Sequence, residues 1–219
     1  MESQSMLLSE AIEALTTALR ADGISPSTLR TYRGKLRPLV AYLGADTPVE
    51  SITVNDLRRY IADQRDTTTK YTDHPYHDPK GGKLSIHTIS GRVRTTKRLF
   101  NWLEAEGVIQ DNPTARIRTP RAKQEEPKAI SIQDFVALLE TTKAGTPADV
   151  RDRAIILILA DTGIRVGGLC GLKVKDVRFD EGLIKTTEKG TKSRLVPFSP
   201  LVREAIEAWL GARCQRIVA

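Results

Sequence analysis

At 219 residues and 40% hydrophobic content, the chain is long enough for one or two packed cores and is not biased enough for disorder throughout. Its 34 Lys and Arg against 27 Asp and Glu give a formal net charge of +7 and a pI near 9.5. That balance suits a polyanionic partner, nucleic acid first, although a basic surface kept for solubility would carry the same charge. The two cysteines, Cys170 and Cys214, stand in no metal-type spacing and read as reduced and structural. No apolar run approaches the roughly twenty residues of a membrane span, and the start Met1-Glu2-Ser3 has no charged and apolar leader, so an intracellular chain is expected.

In chain order, Leu8, Ile12, Leu15 and Leu19 predict an amphipathic helix from about Leu7 to Ala21, ended by Asp22-Gly23. Ser25-Pro26 opens a second, with Leu29, Tyr32, Leu36, Leu39, Val40 and Leu43 leading to Gly44. Arg30, Arg33 and Arg37 share another face of it, and both a solvated and a nucleic-acid-facing surface fit them. A third helix is expected from Leu57 to about Arg65, after a short approach and cap over Ser51–Asp56. From Thr67 to Leu84 the periodicity fails, and a surface loop is predicted. Asp73, His74, His77 and Asp78 in it have metal-ligand chemistry, but a prolyl loop of this composition reads as simply polar, and no metal site is expected.

Ser85 then starts a long helix to about Ala105, with Ile86, Ile89, Val93, Phe100 and Leu103 on the core side and Arg92, Arg94, Lys97 and Arg98 on the polar side. Positive charge is densest there. A turn at Asp111–Ala115 leads into an extended, basic, proline-bounded stretch from Arg116 to Pro127 that carries Arg118 and Arg121. The expected organisation is a helical domain over 1–115, a basic linker over 116–128 and a second domain over 129–219. The first half holds the larger excess of positive charge.

In the second domain, Ser131 caps a helix from Ile132 to Leu139, and Thr146-Pro147 begins a buried helix ending in the apolar run Ala154–Ala160. That helix breaks at Thr162-Gly163, which presents Arg165 at the lip of a core before a short second helix. Its planar fork suits a phosphate if it is held rigidly, and an ordinary surface arginine fits the same stretch. Two strands, Gly182–Thr187 and Ser193–Phe198, flank a turn at Glu188–Lys192, and Ser199–Leu210 forms a last amphipathic helix. The fold class is therefore mainly α with a small β-hairpin sheet.

The stretches TGIRVGGLCGL (162–172) and EKGTKSRLVPF (188–198), at this separation, resemble the two signatures of the tyrosine recombinase, or phage integrase, family. Phe100-Asn-Trp-Leu-Glu-Ala-Glu-Gly-Val-Ile-Gln-Asp-Asn-Pro113 is similar to the end of that family's N-terminal core-binding domain, so the resemblance covers nearly the whole chain. It implies a SAM-like helical DNA-binding domain followed by part of an α/β catalytic domain, the two closing on double-stranded DNA as a clamp with the linker crossing the backbone. It also implies site-specific recombination and integration through a 3′-phosphotyrosyl bond, other protomers as partners on DNA, no cofactor and no membrane, and a cytoplasmic, nucleoid-associated location.

By the motif match Arg165 is the first phosphate-binding arginine and Lys189 the general acid for the leaving 5′ oxygen. Lys192 and Arg194 are DNA-contacting or structural. The resemblance adds Arg30, Arg33, Arg37, Arg92, Arg94, Lys97, Arg98, Arg118 and Arg121 as DNA-binding candidates. Two departures stand against full activity. Gly168 occupies the family's acidic position, and all five tyrosines, Tyr32, Tyr42, Tyr60, Tyr71 and Tyr76, precede Arg165, with no histidine after His87. A DNA-binding fragment that occupies recombination sites without cutting is the alternative.

Overall fold

The computed structural model describes residues 5–70, 78, 80–121, 126, 129–143, 145–187 and 193–218, the side chains of Lys70 and of 215–218 excepted. The chain forms two compact units, Met1–Glu125 and Glu126–Ala219.

The first unit is built from α1 (Leu8–Ala21), α2 (Pro26–Leu43), α3 (Val54–Asp66) and α4 (Ile86–Ala105). Each start has a local cause. Glu10 reaches back to the Leu7 amide, and the Ser25 and Ser85 hydroxyls accept from the amides of Thr28 and Thr88. Helix α3 begins at Val54, three residues before the expected Leu57, because Thr53 within the approach is the cap. The Thr53 hydroxyl takes the Asp56 amide, while the Asp56 carboxylate accepts from the Thr53 amide at 2.9 Å and its hydroxyl at 2.6 Å. Those bonds hold the Asp56 carboxyl below its usual range, the Thr53 side chain acting most.

The apolar stripes of the four helices meet in one core around Leu8, Leu15, Leu36, Leu39, Leu57, Tyr60, Leu99, Phe100 and Leu103. The segment read as a loop is closed at its base by β1 (Thr69–Lys70) and β2 (Lys80–Gly81), antiparallel with Thr69 opposite Gly81. Asp73, His74 and His77 lie outside the described residues, and Asp78 is exposed.

Asn112 ties the far end of α4 to the following turn. Its amide nitrogen donates to Asn101 Oδ1 at 2.8 Å and Glu104 Oε2 at 2.9 Å, and its oxygen accepts from the Thr114 amide and hydroxyl. Asn112→Ala breaks all four bonds and leaves a buried Thr114 hydroxyl without an acceptor, so a loss on the order of 2 kcal/mol is expected in a denaturant titration. Ile117 is buried in the same core and brings the start of the basic stretch onto the bundle.

The second unit comprises α5 (Ile132–Glu140), α6 (Pro147–Thr162), α7 (Val166–Cys170), a three-stranded antiparallel sheet and α8 (Pro200–Val218). The sheet order is β3 (Val177–Arg178), β4 (Leu183–Thr187), β5 (Ser193–Pro197), with Ile184 opposite Val196 and Thr186 opposite Arg194. Its core is Leu157, Ile158, Ile164, Ile184, Val196, Val202 and Ile206.

Helix α6 differs from the expected buried helix. Only Ala154, Leu157, Ile158 and Thr162 are buried, while Ile155, Ile156 and Leu159 are half-buried, because α8 covers one stripe of it. Both cysteines are exposed and free, so neither is a packing residue as their sequence setting suggests. No helix among the described residues is long and apolar enough to cross a membrane, and among the same residues no His/Cys/Asp/Glu group is arranged to hold a metal ion.

Candidate nucleic-acid and phosphate-binding residues

Helix α6 ends in a turn whose residues are each fixed by a different force. The Thr162 hydroxyl donates to the Ile158 carbonyl at 2.5 Å and accepts from the Ile164 amide at 3.4 Å. Gly163 takes the left-handed conformation, φ 60° and ψ 20°, with its amide bonded to the Leu159 carbonyl. Ile164 drops into the core with 4% exposure. Arg165 follows in extended conformation, exposed, and its carbonyl accepts the first amides of α7, from Gly168 at 2.8 Å and Leu169 at 3.0 Å. A side chain at 163 would have to hold the same positive φ, so Gly163→Ala should cost about 1 kcal/mol and loosen the turn, as read by thermal melting.

Asp161, immediately before this turn, was not singled out from the sequence. Its carboxylate accepts from the Ser199 amide at 2.8 Å, which fixes the chain where it leaves β5 and enters α8. An acidic residue beside a TG break gives no cue of its own, since its partner stands 38 positions away.

Alternation along β4 and β5 puts Ile184, Thr186 and Val196 on the buried face. Arg194, opposite Thr186, is exposed near the start of β5, at the end of the strand pair next to residues 188–192. Helix α7 lies against β4 at this end, so the Arg165 turn and the hairpin are joined through Gly168 and Thr186. Lys189 and Lys192 fall outside the described residues.

The cationic candidates of the first unit separate into two kinds. Arg94 and Arg98, one turn apart on α4, are exposed, and with Lys97, Asn101 and Trp102 they border a groove of about 380 Å³ against α1. Arg98 also lies over the Tyr32 ring of α2, at 5.6 Å from its centroid. Arg92 lies away from that groove, while Lys97 borders it but turns its ammonium inward. Arg92 is half-buried and donates to the Gln64 side chain of α3, and Lys97 donates to the Ile117 carbonyl at 2.9 Å. A helix spreads four cations within seven residues around more than half its circumference, so the expected single polar side of α4 is two sides.

Arg30, Arg33 and Arg37 are exposed on α2, and Arg33 is paired with Glu13 of α1. Arg118 and Arg121 are exposed in the stretch after the bundle.

Beside Arg92, the Tyr60 hydroxyl is buried without a hydrogen-bond partner among the described residues. Burial pushes its pKa up to about 12, against the opposing pull of Arg92. Because the folded value lies above the ordinary 10, the neutral phenol's contribution to stability is present below pH 10 and is lost as pH rises toward 12. Tyr60→Phe should leave stability at pH 7 unchanged or slightly higher and flatten its decline between pH 10 and 12, followed by denaturant midpoints across that range.

Two family models match the chain. Residues 12–107 match the phage integrase N-terminal SAM-like domain, and residues 128–217 match the phage integrase family. A tyrosine recombinase XerC of Mycobacterium tuberculosis is 30% identical over 193 residues, covering 86% of this chain and 60% of the relative. One of Chromobacterium violaceum is 28% identical over 206 residues, covering 94% of this chain and 64% of the relative. The chain thus spans about 60% of the length of the curated relatives it matches.

Among solved structures, a lambda integrase dimer bound to a COC′ core site superposes with a TM-score of 0.69 at 20% identity, over 92% of this chain and 68% of that one. The Tn1549 transposon integrase in complex with a circular intermediate DNA superposes with 0.66 at 19% identity, over 93% and 64%. These likenesses are of fold.

Proposed function

Because this chain belongs to the phage integrase family, the tyrosine recombinases, we propose that it binds double-stranded DNA and takes part in site-specific breakage and rejoining of DNA strands in the cytoplasm. The carrying observation is the Thr162–Gly163–Ile164 turn. It holds the Arg165 backbone by two side-chain hydrogen bonds, a left-handed glycine and a buried isoleucine while leaving the residue itself at the surface. A guanidinium on so fixed a base costs little further ordering when it meets a phosphate.

In this reading Arg165 binds a non-bridging oxygen of the reacting phosphate, and Lys189 delivers the proton to the leaving 5′ oxygen. Arg194 and Lys192 grip the DNA beside them. Arg30, Arg33, Arg37, Arg94, Arg98, Arg118 and Arg121 neutralise backbone phosphates along the first unit and the linker over 116–128. Arg92 and Lys97 add their charge to that field while bonding inward to Gln64 and Ile117. Further protomers assemble on the same DNA, as the lambda integrase dimer and tetramer do.

Arg165→Ala should weaken binding to a duplex recombination site by about tenfold at fixed salt, and Arg165→Lys should recover only part of that, since an ammonium does not reproduce the fork. Fluorescence anisotropy on labelled duplex reads both, and equal affinity of all three proteins would refute the assignment. No tyrosine lies in the second unit, so these 219 residues alone are expected to bind without forming a covalent bond. A nicked suicide duplex that yields a covalent band on a denaturing gel, abolished by a Tyr→Phe change at one of the five tyrosines, would contradict that.

A further inference from the structure

A methyl group built on Gly168 would lie 2.4 Å from the Thr186 hydroxyl oxygen, a separation that real Cβ atoms do not adopt. Independently, that hydroxyl belongs to a side chain with 2% exposure and has no hydrogen-bond partner among the described residues. A buried hydroxyl without a partner normally costs stability. The oxygen fills the space a side chain at 168 would take, and the strand and helix approach each other only because one position is glycine and the other carries a short branch.

We propose that Thr186 is the positioning residue for Arg165. By pressing on Gly168 it seats α7 on β4, and α7 starts from the Arg165 carbonyl, which accepts the Gly168 amide at 2.8 Å. The same threonine stands near the end of β4, in the next-to-last β4–β5 pair before residues 188–192 and three residues before Lys189. One contact therefore couples the turn that presents the arginine to the strand that leads to the lysine. It also explains the glycine at the position where the motif otherwise carries an acid. A larger residue at 168 meets Thr186 first, so Gly168→Glu alone cannot be accommodated in this packing.

The proposal rests on the reading of Arg165 as a phosphate ligand, and a four-variant cycle separates the two. The proteins are the wild-type chain, Gly168→Ala, Thr186→Ala and the double variant, each with and without Arg165→Ala. The readouts are melting temperature, affinity for a duplex by anisotropy, and the amide resonances of residues 164–169 in a nitrogen–proton correlation spectrum.

Gly168→Ala should lower the melting temperature by roughly 5–10 °C through overpacking, and the tenfold penalty of Arg165→Ala should vanish in that background. Thr186→Ala, which only removes atoms, should narrow the penalty several-fold. In the double variant the new methyl meets the position-186 Cβ at 3.8 Å, an ordinary contact, and the penalty and the resonance pattern around Arg165 should return. An Arg165 penalty of the same size in all four backgrounds, or a double variant no better than Gly168→Ala, would overturn the proposal even if melting temperatures change. Should Gly168→Ala not fold, the wild type, Thr186→Ala and the double variant still decide it. A wild-type chain without affinity for DNA would refute the functional reading instead, and the resonances of residues 164–169 would then test Thr186 by themselves.

Discussion

Phe100→Ala is expected to destabilise the first unit by about 3–5 kcal/mol, a large share of the roughly 5–15 kcal/mol that holds an ordinary domain together. Phe100 sits with 0% exposure on the core face of α4, beside Leu99 and Leu103, which are equally buried. Truncation removes the ring from where the helix stripes of the first unit converge and leaves a cavity that four helices capped at their N-termini cannot easily close. Because α4 also carries Arg94 and Arg98, DNA affinity should fall together with stability rather than separately. Urea titration followed by circular dichroism measures the first effect. A change below 1 kcal/mol would mean that this core is not the one that holds the unit.

DNA binding should itself collapse with salt. Six exposed arginines of the first unit and linker, Arg30, Arg37, Arg94, Arg98, Arg118 and Arg121, are placed to meet phosphates. Each phosphate neutralised contributes about −0.9 to the slope of log K against log salt, so about six contacts predict a loss on the order of a thousandfold between 50 and 200 mM. Exposed ion pairs within the protein temper this only slightly. Arg33 with Glu13 is such a pair, and screening makes its worth small at any of these concentrations. Affinity that changes less than tenfold over the range would point to recognition through apolar or neutral contacts, for which this surface offers little.

Much of this was legible because local chemistry repeats along the chain. Ser25, Ser85, Ser131 and Thr146 each cap the helix that the apolar period predicts, and Gly163 ends α6 where the sequence breaks. The paired strands β4 and β5 were readable from two short apolar-alternating runs. What escaped the sequence depends on long-range partners. Arg92 and Lys97 look like the rest of a cationic face until Gln64 and Ile117 are brought beside them. The apolar run of α6 suggests burial on every side, although only one stripe is covered. Nor does anything local to Gly168 announce that its vacancy is filled by Thr186, from a strand of the hairpin.

The measurement closest to the central claim is the salt slope of duplex binding for the wild-type chain beside Arg94→Ala/Arg98→Ala. Both side chains are exposed on one turn of α4; among the described residues Arg94 donates only to the Ser90 carbonyl of its own helix, at 3.4 Å, and Arg98 lies over the Tyr32 ring, so removing the pair should cost the fold about 1 kcal/mol or less. If α4 presents them to the DNA backbone, the slope should become shallower by about 1.8 and affinity at low salt should fall, with the protein still folded at the temperature of the titration. An identical slope for the two proteins, with binding retained, would contradict the claim that this face holds DNA.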